Sequence, residues 1–456
     1  MKSQPKSIVS FRNRLALGLG FFAFFFANQG IHILAVPYYQ MTLGVNPFLL
    51  SIAMTAPMLI GSLLGPVVGH LSDNFHSGKL GKRRPFILVS AWTTGLCYGL
   101  VWMVPQHWSD TAQLLYFAAT ATLFYLSATF FTVPLNGLAF EITDDYHQRT
   151  EVMGFTAYFL KLGSLLYQWV FPLAQISLFA SVIIGVQTVG WGLAFVVFGV
   201  CGMMPALLIQ ERKTVEYVRT QHDFLSSIRS VLKNPSMVLL IALTLMLMGG
   251  VAFAATMDYY LLVYYVNNGN ITEGAIWKGV LSTAFALVSM ACVPLVTRLS
   301  FHRGKVFTLQ VLLGVNMLGG LAKWFIYTPG ARWVIVSDAI LCGAIWTAMV
   351  VLVPSMIADL SHQDREKNQT SRAGMYASVH AWVISFSSVL AFLLSGLCLW
   401  LMGFDAHLGR HQPEHSILIM RIILVGGTVF FSVLPLLMFY ICRKQLPHVL
   451  APWSDR

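Results

Sequence analysis

Three ionisable side chains stand in stretches of the chain that are otherwise apolar. Asp258 lies in Ala254-Ala-Thr-Met-Asp258-Tyr-Tyr260, Lys161 in Tyr158-Phe-Leu-Lys161-Leu162, and His32 in Gln29-Gly-Ile-His32-Ile-Leu34. A carboxylate and an imidazole in such surroundings can bind and release a proton, since histidine titrates near neutrality. An embedded ammonium can pair with an acid or hold a solute hydroxyl or carboxylate, so Lys161 is expected either to pair with Asp258 or to meet a substrate. Around these three stand Tyr158, Asn28, Gln29, Asn136 and Trp346, with His380 and Trp382 as weaker members of the set. Amides and hydroxyls give directional hydrogen bonds and a flat aromatic ring stacks on the C–H face of a sugar, so this set has the makings of a site for a polyhydroxylated solute. Each of these residues taken alone also fits ordinary glue between helices.

The elements that position them follow from composition. Of 456 residues 57% are hydrophobic and only 10% are charged, whereas a soluble domain has about a quarter of its residues charged. A soluble enzyme and a nucleic-acid binder are excluded, and lipid is the expected solvent. A helix needs about 20 apolar residues to cross a bilayer. Such runs occur at 13–37, 47–72, 84–105, 112–140, 151–176, 180–209, 236–266, 276–299, 304–327, 333–358, 373–401 and 416–441. Twelve spans use most of the chain and leave no room for a separate soluble catalytic domain, so no enzymatic activity is expected. Lys323, Asp338, Arg332 and Arg421 fall near span ends, where they are expected to snorkel or to form surface pairs. Period-2 alternation is absent, which removes a transmembrane barrel.

Basic residues choose the orientation. They crowd before span 1 (Lys2, Lys6, Arg12, Arg14), after span 2 (Lys79, Lys82, Arg83, Arg84), between spans 6 and 7, and after spans 8, 10 and 12. The opposite loops offer mainly Lys278, Arg332 and Arg410. Both termini are therefore expected in the cytoplasm, with the protein in the plasma membrane, the inner membrane in a bacterial cell. The net charge of +11 is thus topological and predicts no nucleic-acid partner. The first apolar run is too long for a cleaved signal and lacks a small-residue cleavage site. The six cysteines have no paired spacing and read as apolar fillers, with no metal site and no cofactor expected. Asn270-Ile-Thr272 and Asn368-Gln-Thr370 match the glycosylation pattern, which is common by chance.

The chain repeats itself around a hydrophilic stretch near 210–235, where Phe224, Leu225, Ile228, Val231 and Leu232 suggest an amphipathic interfacial helix. Tyr38-Tyr39 corresponds to Tyr264-Tyr265, Pro66-Val-Val-Gly-His-Leu-Ser72 to Pro294-Leu-Val-Thr-Arg-Leu-Ser300, and Val133-Pro134 to Val353-Pro354. Three matches at nearly one offset divide the chain into a six-helix bundle at 1–209, a linker at 210–235 and a second six-helix bundle at 236–456. An all-α membrane protein built as six plus six parallel repeats resembles the major facilitator superfamily, whose substrate sits between the halves near the midplane.

Two loops sharpen the resemblance. Gly69-His-Leu-Ser-Asp73 with Gly81-Lys82-Arg83-Arg84-Pro85 is similar to the signature loop of major facilitators, and its Leu80-Gly-Lys-Arg-Arg-Pro-Phe86 ending resembles sucrose transporters. Asp73 in such a loop can pair with the basic cluster or cap a helix N-terminus of the other half, where the dipole favours an anion. Pro134-Leu-Asn-Gly-Leu-Ala-Phe-Glu141 through Asp144-Asp145 to Arg149-Thr150 resembles the glycoside–pentoside–hexuronide:cation symporters. Met356-Ile-Ala-Asp359 with Arg372-Ala-Gly-Met-Tyr376 resembles the matching block of their second half. The resemblance implies a cytoplasmic gate in which Asp73, Glu141, Asp145 and Asp359 face Arg83, Arg84, Arg149 and Arg372.

The chain also departs from that family. Where the cation-coupled melibiose permeases carry two aspartates in span 2, this sequence has Gly61 and Gly65; the family's span 4 carboxylate falls at Thr132 and its span 11 lysine at about Ser385. Glycines offer sodium no side-chain oxygen, so H⁺ is the expected coupling ion in place of Na⁺. Counting back from the tyrosine pair of each repeat sets Asp258 against His32. Spans 1 and 7 line the central cavity in this fold, so the two are expected to face each other there as the proton-coupling pair. The alternative is a hydrated Asp258 near the outer interface and a His32 that merely packs.

The reading as a whole is a secondary active transporter moving a glycoside or related small polar solute by alternating access, a monomer in the lipid bilayer. A carrier of lysolipids or another amphiphile with the same fold is the alternative, and a non-transporting membrane sensor or assembly factor the alternative from another class.

Overall fold

The computed structural model describes residues 9–75, 80–140, 142–143, 146–210, 232–368 and 373–442. The chain divides into two compact units, Met1–Glu216 and Tyr217–Arg456. The expected amphipathic helix of the linker lies outside the described residues.

The N-terminal unit contains α1 (Phe11–Thr42), α2 (Pro47–Asn74), α3 (Arg84–Val101), α4 (Asp110–Phe140), α5 (Tyr146–Leu166, prolonged by the short turns Tyr167–Trp169 and Val170–Ala174) and α6 (Val182–Leu208). The C-terminal unit contains α7 (Pro235–Val266), α8 (Ile271–Arg303), α9 (Lys305–Ile326), α10 (Val336–Asn368), α11 (Ala373–Leu401) and α12 (Glu414–Cys442). All but α3 and α5 are long and apolar enough to cross a membrane on length and composition alone. Helix is the only regular structure among the described residues, as lipid requires, because a helix satisfies its own backbone polar groups.

Helix starts are written locally. Asn46 takes the Phe48 and Leu49 amides at the start of α2, and Asn270 takes the Glu273 amide at the start of α8. These are the same position in the two repeats, so Asn270, which matches the glycosylation pattern, serves as a helix cap. Ser10, Ser181 and Asn234 cap α1, α6 and α7 in the same manner. Gly304, at φ 84°, is the only residue between α8 and α9, a backbone position that a side chain would strain.

The repeat extends to irregularities. Both α1 and α7 end in π-helical segments, Val36–Thr42 and Leu261–Val266, and each contains the tyrosine pair. The Leu43 amide reaches back to Tyr38 O and the Asn267 amide to Leu262 O. Proline sits inside α4 (Pro134) and inside α10 (Pro354), again at matching places.

The two cores differ in material. In the N-terminal unit Tyr38, Tyr39, Tyr98, Trp102, Phe117, Phe124 and Phe198 interlock through tilted and edge-to-face ring contacts, with Tyr39 and Phe117 rings 4.7 Å apart. In the C-terminal unit the core is aliphatic: Leu240, Leu243, Leu247, Leu309, Leu313, Ile345, Met349 and Leu352 are all buried. Cys97, Cys201, Cys292, Cys342 and Cys398 are unbridged.

Candidate functional site

In the N-terminal unit the polar candidates gather on α1 and its neighbours. Asn28 and His32 are one helical turn apart. The Asn28 amide donates to Phe24 O of its own helix (2.9 Å), and Gln29 beside it is exposed. His32 Nε2 lies 3.4 Å from the Tyr125 hydroxyl of α4. The Tyr98 hydroxyl donates to Gly30 O (3.2 Å), its ring lying close to where a Cβ on Gly30 would stand, so α1, α3 and α4 are drawn together at the depth of His32. Thr93, Thr94 and Ser127 join α3 to α4 through hydroxyls at 2.6 and 3.0 Å. This is neutral hydrogen bonding throughout.

Gly61 of α2 fits the same frame. A Cβ there would stand 3.1 Å from Tyr125 Cβ and 3.2 Å from Tyr125 O, and Thr129 Oγ1 donates to Gly61 O at 3.1 Å. The glycine allows α2 to approach α4, and any side chain at this position would push on backbone. Gly65 has open space around it. On α5, Lys161 is half-buried and makes no ion pair or hydrogen bond among the described residues, while Tyr158, one turn earlier, is exposed. Close packing of α5 on α1 passes through two further glycines, Gly18 under Phe159 and Gly163 under Phe25. Asn136 of α4 is half-buried.

The C-terminal unit adds ion pairs to its aliphatic core. Lys278 Nζ holds both oxygens of Asp258, at 2.6 and 2.7 Å. The ion-pair partner of Asp258 is therefore Lys278 of its own unit in place of Lys161. Hydropathy starts the span of Lys278 at 276 and leaves the lysine at a loop edge. Helix α8 instead begins at Ile271 and carries it inward, where the carboxylate of α7 neutralises it. Lys323 and Asp338 are likewise corrected. They are 5% and 0% exposed rather than snorkelled, with Lys323 Nζ and the Tyr327 hydroxyl both 2.9 Å from Asp338 Oδ2. Each is costly in an apolar medium alone, and the pair is tolerated because the two charges meet. Glu273 and Arg332 form the expected surface pair. Arg421 is neither snorkelled nor paired with an acid among the described residues: its guanidinium lies 4.1 Å over Trp324 and 5.1 Å from the Tyr265 ring, and donates to Trp324 O at 2.8 Å.

Of the remaining candidates, Trp346 packs on the aliphatic core, which occupies part of the ring surface that a sugar would use. His380 is buried on α11 with no hydrogen-bond partner for Nε2 among the described residues, and Trp382 is half exposed.

The gating set is partly described. The Arg83 guanidinium lies over Gly137 of α4, where a Cβ would come within 2.6 Å of Cζ, and Arg84 Nε donates to Ala206 O of α6 at 2.6 Å. Lys305 Nζ meets Asp359 Oδ2 at 2.5 Å and Ser355 O at 3.3 Å, tying α9 to α10. These contacts fasten helices within one unit. Glu141, Asp145 and Arg372 lie outside the described residues, as do the side chains of Asp73 and Arg149.

Sequence reasoning missed Lys278, Tyr125, Tyr327 and the Lys323–Asp338 pair as parts of a site. The available signal was spacing: Asp258, Lys278, Lys323 and Asp338 place one charge on each of four consecutive helices, two of either sign.

Comparison with known proteins adds the family. Residues 16–442 match the family model described as MFS/sugar transport protein. The chain is similar to the uncharacterized symporter YnaJ of Bacillus subtilis, 23% identical over 359 residues that cover 76% of this chain and 74% of the relative. It is also similar to the sodium-dependent lysophosphatidylcholine symporter 1-B of Danio rerio, 24% identical over 165 residues, 36% of this chain and 31% of the relative. Among solved structures, a bacterial homolog of the human lysosomal transporter Spinster superposes with a TM-score of 0.70 at 16% identity, covering 98% of this chain and 100% of that one. The nucleoside transporter NupG gives 0.64 at 11% identity, over 94% of this chain and 99% of the other. The polytopic helical fold, its internal repeat and the match along nearly the whole sequence place this chain in the MFS/sugar transport family, as a multi-pass secondary transporter of a small molecule.

Proposed function

We propose that this transporter carries a glycoside or a related small polar solute by alternating access, coupled to protons. One observation supports the choice of proton above all: Gly61 is pressed against Tyr125, so α2 offers no carboxylate there for a metal cation, while both embedded acids of the C-terminal unit, Asp258 and Asp338, carry a lysine each. Sodium asks for several oxygen ligands, and a carboxylate already neutralised by an ammonium is a poor one. A proton needs only one acceptor. The solute side of the reading is supported by the α1 face of Asn28, Gln29 and His32 with Tyr125, a neutral hydrogen-bonding set suited to hydroxyls.

The basic ends of the helices, marked by Arg83, Arg84 and the Lys305–Asp359 pair, are assigned to the cytoplasm with both termini. The Glu273–Arg332 end then faces outward.

A second reading is favoured by the similarity to the lysophosphatidylcholine symporters: Lys161, with no acid beside it among the described residues, would suit a phosphate group. Vesicle uptake of labelled methyl glycosides and of a lysophospholipid, each with an imposed proton or sodium gradient, decides. Accumulation of a glycoside driven by the proton gradient is the expected result. Sodium-driven uptake of the lysophospholipid, abolished by Lys161→Gln, would replace it.

A further inference from the structure

The acids and bases of the C-terminal unit are ordered by depth. Glu273 and Arg332 pair at the mouth of α8 and α10, where they are 39% and 49% exposed. Just beneath, Trp277 and Trp333 meet edge to face with ring centroids 5.0 Å apart. Lys323 stands three residues before the end of α9, roughly 5 Å along its axis, and Asp338 lies just inside α10. Asp258 is eight residues before the end of α7, roughly 12 Å deep. Asp258 lies within electrostatic reach of both Lys323 and Tyr327. Both inner pairs are far more enclosed than the mouth, at 5% and 0% exposure for Lys323 and Asp338 and 17% and 7% for Lys278 and Asp258.

Two features mark this ladder as more than a clasp. Buried pairs are seldom better for stability than apolar residues of the same size, and ionisable groups kept in a membrane interior usually serve transport. Moreover, Lys323 and Tyr327 both contact Asp338 Oδ2, which leaves Oδ1 buried with no hydrogen-bond partner. Oδ1 is therefore an open acceptor position, enclosed beside the Lys323 ammonium, the Tyr327 hydroxyl and Cys342.

Taking the proton-coupled reading above as its premise, we propose that the outer end of the C-terminal unit is a proton entry path in which Asp338, held by Lys323 and Tyr327, accepts a proton from the outer solution and passes it to Asp258. The proton arrives from water at Asp338 Oδ1 and turns the carboxylate into a neutral acid, leaving the Lys323 ammonium charge in place. Its transfer restores the Asp338–Lys323 pair and neutralises Asp258, which loosens Lys278. Charge is conserved at each move: the entering proton brings one positive charge, left first on Lys323 and then on Lys278 as their carboxylates are neutralised in turn, and both lysines keep their own protons. The groups around the path are Lys278 from α8, Lys323 and Tyr327 from α9 and its end, Asp338 and Cys342 from α10, and Arg421 from α12, which is occupied by Trp324 and Tyr265. From α11 the neighbour of α7 is neutral, Ser395 accepting from Thr256.

The test uses the full chain in phospholipid vesicles and two readouts. Infrared difference spectra between alkaline and acidic buffer report protonated buried carboxyl groups with no solute present. Vesicles loaded with a pH-sensitive dye report proton movement when methyl glycosides are added outside. Asp338→Asn is expected to remove one carboxylic-acid band and to slow glycoside-driven proton entry by about 100-fold, while glycoside counterflow stays within about threefold. If Asp338→Asn fails to assemble, the paired change Asp338→Leu with Lys323→Met keeps the packing and should show the same loss. Tyr327→Phe should slow entry by about tenfold or less. Wild-type proton entry in Asp338→Asn or in the paired variant overturns the path. A wild-type protein that moves no protons with any glycoside, yet loses its band in Asp338→Asn, would overturn the transport reading and leave the proton-binding site standing.

Discussion

The two units share a backbone and differ in chemistry. Both begin with a helix ending in a π-helical tyrosine pair, both cap the following helix with asparagine, and both carry a proline at one place in their fourth helix. Both join helices through hydroxyls and glycine contacts, yet the N-terminal core is an aromatic network, and among the described residues it is the C-terminal unit that places carboxylates against lysines within its helices. A duplicated scaffold can therefore divide labour: neutral hydrogen bonds suit recognition of an uncharged solute, and charge pairs suit a cycle driven by an ion. This asymmetry can be attacked from either side.

The sharpest break is Lys323→Met, which leaves Asp338 charged and buried. A loss of about 3–5 kcal/mol in unfolding stability is expected, measurable as detergent-solubilised thermal denaturation, whereas the paired Lys323→Met with Asp338→Leu should be close to neutral. Asp258→Asn comes next: gradient-driven accumulation should fall by about 100-fold, with exchange of internal for external solute retained. Unchanged accumulation would remove Asp258 from the coupling mechanism. In the N-terminal unit the corresponding intrusion is Gly61→Asp. It forces a side chain onto Tyr125 and should cost about 1–3 kcal/mol without conferring sodium dependence on uptake. The mildest change is Tyr125→Phe, removing the contact to His32 at about 0.6 kcal/mol, a typical value for a hydrogen bond between membrane helices. A Tyr125→Phe effect as large as that of Lys323→Met would erase the contrast between the units.

Much of the fold can be read from the chain because apolar runs report burial in lipid directly. The tyrosine pairs and Val-Pro pairs locate the repeat, and the structure finds those residues at equivalent places. The site is legible only in part. Asp258 stands out because its neighbours in sequence are apolar, but its partner Lys278 sits 20 residues away, at what hydropathy shows as a span edge. Averaging over a window blurs such edges by a helical turn, and a turn decides whether a lysine snorkels or enters the bundle. Lys323 and Asp338 already lie inside the spans read at 304–327 and 333–358; what the sequence does not encode is that they face each other across two helices. Glycine contacts such as Gly61 on Tyr125 depend on the separation of two helices, which no local pattern encodes.

The π-helical ends of α1 and α7 reach beyond mechanism. A π turn is an α-helix that has gained one residue. The same irregularity, around the same two tyrosines, is present in each unit, whereas the π-helical stretches Ala194–Cys201 and Leu245–Val251 each occur in one unit alone among the described residues. Taking one residue out of either segment would turn the tyrosine pair by roughly 100° about its helix axis, so the extra residue fixes which neighbours those rings meet.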